Sequence, residues 1–137
     1  GRYDVVIADV FAARAVPWHL VTREAMAEIR RTMGPGAVYV ANVIDGGEHR
    51  LLGSYVQTLR SVFDEVAVVF LVIPGGVSGN VIVVAGDDLP LDAIATSIAR
   101  DAPEPARLAT ATEMAAMAAR AVLLTDDYAP TDALISR

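Results

Sequence analysis

Short apolar runs rich in β-branched residues alternate in this chain with stretches where apolar residues recur every three or four positions. That is the pattern of strands interleaved with amphipathic helices. The first run, Val5 to Val10, reads as a short buried strand. A helix is expected from Thr22 to Met33, with Thr22 as cap, Glu24 in the positive first turn, and Arg30 and Arg31 in the last. Gly34, Pro35 and Gly36 stop it. Ala37 to Val43 reads as a second strand, and Asp45-Gly46-Gly47 as a turn. From Glu48 to Phe63, Leu51, Leu52, Tyr55, Val56, Leu59, Val62 and Phe63 mark one face of a second helix. Val66 to Ile73 and Asn80 to Ala85 are strands joined by Pro74-Gly75-Gly76-Val77-Ser78-Gly79, a link short enough to make them antiparallel. A third helix covers Leu91 to Arg100 and ends before Pro103 and Pro105. Thr110 and Glu113 form a capping box that opens a fourth, running to about Ala121, and Val122 to Arg137 is a tail.

Strand-helix-strand-helix followed by a hairpin predicts an α/β fold, the second half of a doubly wound sheet, mostly parallel and ending in an antiparallel hairpin. All 137 residues are expected to form a single domain. The first strand would be central in a whole sheet of this type. Its open edge predicts either a missing N-terminal half or self-association, hence a homo-oligomer. A chain 54% hydrophobic and 20% charged is not disordered. A net charge of −6 argues against a nucleic-acid partner. The absence of cysteine excludes thiolate metal sites, disulfides and thiol catalysis. The longest apolar run, Val66 to Ile73, is too short to cross a bilayer, so this segment is expected to make no membrane contact and to be cytoplasmic.

The candidate chemistry starts at Asp9. Ligands of open α/β sheets bind at the carboxyl ends of strands, and Asp9 closes the first apolar run. A strand-end turn former is the plain alternative. Asp126, Asp127 and Tyr128 either line a site or make a polar turn ahead of Pro130. His19 is read as a loop or packing residue, since no partner sits at a motif spacing, and His49 as solvated at a helix start. Asp87, Asp88 and Asp92 flank a helix start, where acids favour the dipole, and are not read as a metal site. Gly75, Gly76 and Gly79 are hairpin glycines with no following helix to cradle a phosphate. Met114 and Met117 are packing residues.

Three segments together resemble one family. Tyr3-Asp4-Val5-Val6-Ile7-Ala8-Asp9, then Leu20 and Thr22, then Met33-Gly34-Pro35-Gly36-Ala37-Val38 resemble the middle of spermidine synthases, aminopropyltransferases with the Rossmann-like class I methyltransferase fold. Val16-Pro17-Trp18-His19-Leu20-Val21-Thr22 and Thr125-Asp126-Asp127-Tyr128-Ala129-Pro130 resemble a branch whose members are sometimes fused to membrane transporter domains. A lost N-terminal membrane domain therefore stays open.

The resemblance implies the C-terminal half of such a catalytic domain, with the N-terminal cofactor-binding half absent. It implies that the complete protein transfers an aminopropyl group from decarboxylated S-adenosylmethionine to a small amine, without a metal, in polyamine biosynthesis. Asp9 matches the family's catalytic acid, and Asn42 stands where a ligand-binding Gln is usual. Asp126, Asp127 and Tyr128 are then substrate-binding. A second family Asp, three residues after the first, is Ala12 here. This chain alone is expected to be inactive. The alternatives are another S-adenosylmethionine-dependent methyltransferase, or a non-catalytic, truncated interaction module.

Overall fold

The computed structural model describes residues 2–9, 16–45 and 48–135. Strand β1 (Tyr3–Ala8) is followed by a 3-10 turn (Trp18–Leu20), α1 (Arg23–Thr32) and β2 (Met33–Ile44). Then come α2 (Arg50–Arg60), the hairpin β3 (Glu65–Ile73) and β4 (Gly76–Gly86), and α3 (Leu91–Asp101). A short β5 (Ala106–Leu108), α4 (Ala111–Ala118) and a final turn of helix, α5 (Thr131–Leu134), complete it. The five strands form one sheet in the order β1-β2-β4-β3-β5. Ala12, Gly46 and Gly47 lie outside the described residues, as does Val10, the expected end of the first strand.

The α/β class and the β3–β4 hairpin match the sequence expectation, but the strand pairing differs from a mostly parallel sheet. Only β1–β2 pairs in parallel; β2–β4, β3–β4 and β3–β5 are antiparallel. The physical reason is the place of β4. Antiparallel to both β2 and β3, it leaves those two pointing the same way as β1. One reversed strand inserted between two co-directional strands converts a would-be parallel contact into two antiparallel ones. The hairpin is also tighter than expected. Ile73 pairs with Gly76, so Pro74-Gly75 alone makes the turn, with Gly75 at φ +89°.

Local signals explain the element ends. Thr22 caps α1 by accepting the Ala25 N–H at 3.2 Å. Gly34, Pro35 and Gly36 end the helix, but they do so inside β2. Tyr3 pairs with Met33 and Val5 with Val38, so β2 spends five residues where β1 spends two. The extra length is an irregularity that Gly36 accommodates at φ +69°. Thr110 and Glu113 form the reciprocal capping box of α4. Arg107 grips the same Glu113 and, with that box, pulls its carboxyl down to about 2.

The core lies between the sheet and α2, whose Leu51, Leu52, Tyr55 and Leu59 are fully buried with Tyr39, Ala41 and Val43 of β2. The Tyr39 and Tyr55 hydroxyls share a hydrogen bond at 2.5 Å. Burial raises both phenols, Tyr55 well above the usual value. Gly53 lets α4 approach, since a Cβ there would stand 2.6 Å from the Met117 carbonyl oxygen. The His49 expectation is corrected. It caps α2 at φ 52°, half-buried, its ring 5.6 Å from that of Phe70. No described helix is long and apolar enough to cross a membrane.

Candidate functional site at the carboxyl edge of the sheet

Because β1 and β2 are parallel, α1 must begin near the carboxyl end of β1 and return toward the start of β2. Asp9 after β1, the end of β2 and the N-terminus of α1 therefore share one edge of the sheet, the edge where open α/β sheets hold ligands.

Register explains the first pair. Ala8 pairs with Ala41, so one residue further on Asp9 stands beside Asn42. The Asn42 amide donates to Asp9 Oδ1 at 3.1 Å. Asp9 is exposed and Asn42 half-buried. One carboxylate oxygen is thus oriented by an amide while the group stays open to a ligand. The amide carbonyl of Asn42 supplies a second acceptor beside it.

The second group is the turn that carries Asp126, Asp127 and Tyr128. Thr125 and Tyr128 exchange backbone hydrogen bonds at 3.0 Å in both directions, closing the turn. The Thr22 hydroxyl donates to Asp126 Oδ1 at 2.7 Å, and the Asp126 N–H donates to Glu24 Oε2 at 3.1 Å. Glu24 is held below the usual carboxylate value. Its own backbone N–H contributes most, then the Arg23 guanidinium, with the Asp126 N–H adding to them. Asp127 is exposed, and Tyr128 is 58% exposed.

Asp9 and Asn42 thus contact each other, while Asp126 is bound to the α1 N-terminus. Residues 10–15, which connect the two groups along the chain, lie outside the described residues. Sequence reading missed the partners of the second group. Thr22 was legible as a cap, but its hydroxyl also serves Asp126, 104 residues away. Ser54 and Thr58 accept the backbone N–H groups of Val122 and Leu124 at 3.2 and 3.0 Å. Their place on the otherwise apolar, fully buried face of α2 was the available signal. The remaining acids do not join the site. Asp87 pairs with Arg30, and Asp92 lies in the first turn of α3. Among the described residues no group of three potential metal ligands forms.

The fold and this edge define a Rossmann-like α/β domain of the methyltransferase type. Comparison with known proteins narrows the class. No family model matches the chain. A polyamine aminopropyltransferase of Vibrio vulnificus (strain CMCP6) is 34% identical over 64 residues, 47% of this chain and 21% of that protein. The crystal structure of a probable spermidine synthase from Corynebacterium glutamicum ATCC 13032 superposes with a TM-score of 0.72 and 27% identity. That superposition covers 93% of this chain and 48% of the neighbour. The chain is spermidine-synthase-like in sequence and fold, and it spans about half the length of that structural neighbour.

Proposed function

We infer that the polypeptide carrying this chain transfers an aminopropyl group from decarboxylated S-adenosylmethionine to an amine. Asp9 is the catalytic carboxylate; Asn42, Asp127 and Tyr128 contact substrate, and Asp126 borders the same site. The observation that carries the reading is the Asp9–Asn42 hydrogen bond at the strand end of a spermidine-synthase-like fold. An ammonium has no lone pair and cannot attack. In this reading Asp9, open to solvent and oriented by Asn42, takes its proton. When bound, the donor would supply an electrophilic carbon next to a sulfonium, whose C–S bond breaks to release a neutral thioether. The acceptor oxygens of Asp9 and Asn42 fit the amine. A cytoplasmic location belongs to the same reading.

Assaying aminopropyl and methyl donors side by side tests it. Turnover only with the methyl donor favours the second reading, a methyltransferase acting on another nucleophile, for which Ala12 in place of a second carboxylate speaks. The third reading, an interaction module, draws on β1. Its Tyr3, Val5 and Ile7 are 62%, 55% and 76% exposed on an edge strand, above a groove of about 490 Å³ shared with Ile29. Antiparallel pairing of two copies about Val5 would set Tyr3 against Ile7 in both directions. A dimer by mass measurement that Val5→Lys dissolves supports that contact, and a monomeric wild type refutes it.

A further inference from the structure

We propose that Asp126 is a positioning residue. Its carboxylate acts through the Thr22 hydroxyl to fix the segment from Val16 to Thr22 that leads into α1, and it does not itself hold substrate. This rests on the site reading above. Thr22 is fully buried, and its hydroxyl has two tasks. Its oxygen accepts the Ala25 N–H that opens α1, and its single proton goes to Asp126 Oδ1 at 2.7 Å. Asp126 itself is exposed, so removing its carboxylate would hand the Thr22 proton to water and release the contact that ties the two segments. A substrate ammonium seeking the same oxygen would compete with a charge-assisted bond already made.

The contacts around this bond form a strap. The Arg23 N–H donates to the Leu124 carbonyl at 2.8 Å, and the Thr131 hydroxyl to the Val16 carbonyl at 3.3 Å. Val16 thus meets Thr131 while Thr22 meets Asp126, so the two segments run antiparallel and the Trp18–Leu20 turn is pinned at both ends. The far side of the strap hangs from α2 through Ser54 and Thr58, with Leu124 fully buried between the anchors. The segment from Val16 to Arg23 is therefore tied to the core helix by residues from the other end of the chain. Asp126 is the charged link, sited where the N-terminal dipole of α1 favours an anion.

Trp18 is the sole tryptophan and sits inside the pinned segment, 47% exposed, so its emission reports the loop without a label. The experiment measures acrylamide quenching of Trp18 and amide exchange of Ala25 and Met26. The variants are Asp126→Ala, Thr22→Val, the double variant, Thr22→Ser and Asp127→Ala. Asp126→Ala and Thr22→Val should each increase quenching and speed exchange by about fivefold, the usual scale for a lost helix cap. The double variant should be no worse than the poorer single one, because the two residues act as a unit. Thr22→Ser keeps both tasks of the hydroxyl and should match wild type in quenching and exchange, and Asp127→Ala should leave those two readouts unchanged. Unchanged quenching and exchange in Asp126→Ala, or effects that add, would overturn the proposal. In a polypeptide that turns over, Asp126→Ala should lower kcat and leave the amine KM within about twofold. A raised KM at unchanged kcat would make Asp126 a substrate ligand and overturn it too. Failure of wild type to transfer would refute the transfer reading alone, and the fluorescence and exchange results would still decide the role of Asp126.

Discussion

Asp9 and Asp126 are carboxylates at the same edge of the sheet, yet their surroundings assign them different work. Asp9 follows an edge strand, is exposed, and touches the amide of Asn42 at 3.1 Å. Asp126 is exposed as well, but it is engaged by a fully buried hydroxyl, and its own N–H is taken by Glu24. The first arrangement orients an acid and leaves it open to a proton; the second uses an acid as a fastener. Two acids in similar positions are thus distinguished by what already occupies them, which the residue type alone does not reveal.

Substitutions can separate the two roles. The largest effect should come from Asp9→Asn, which is expected to lower kcat for amine transfer by roughly 10²–10⁴-fold, the range for a lost general base. Stability should move by less than about 0.5 kcal/mol in urea unfolding, since the site is exposed. A large stability loss would mean that Asp9 is structural and would collapse the contrast with Asp126. Next comes the anchor of the strap. Thr58→Val removes the acceptor of a buried Leu124 N–H and should cost about 1–3 kcal/mol in the same unfolding measurement. An unchanged midpoint would show that the strap is not held there. Asn42→Ala should cut kcat/KM by about tenfold through loss of a hydrogen bond to a charged group, with stability nearly unaffected. The smallest effect concerns pH. Glu24 has a depressed folded-state value, so its contribution is complete above the ordinary carboxylate value of 4.5 and fades as pH falls through the lowered one. Trp18 quenching should rise in that acid window, and Glu24→Gln should flatten the response.

Much of this was legible in the sequence, and the parts that were not share a cause. Thr22 as a cap, the Thr110–Glu113 box and the β3–β4 hairpin are set by neighbours a few residues apart, and all three formed, the hairpin with a shorter turn than the six-residue link expected. The insertion of β4 between β2 and β3 was not visible. Val81, Val83 and Ala85 are buried whichever strands flank them, and apolar runs carry no information about order. The three-residue β5 was missed because it exists only by pairing with Val69–Leu71. Asp9 was singled out because a strand end is a local signal, and its contact with Asn42 follows from the parallel register. The fastening of Asp126 depends on residues more than a hundred positions away, with no pattern in either segment to announce it.

The most direct test is a transfer assay on the polypeptide carrying these residues, with decarboxylated S-adenosylmethionine and S-adenosylmethionine offered separately to a panel of small amines. Wild type, Asp9→Asn and Asp126→Asn would be measured side by side. Aminopropyl transfer that vanishes in Asp9→Asn and survives at reduced kcat in Asp126→Asn is the expected result. Full turnover in Asp9→Asn would contradict it and remove Asp9 from the chemistry.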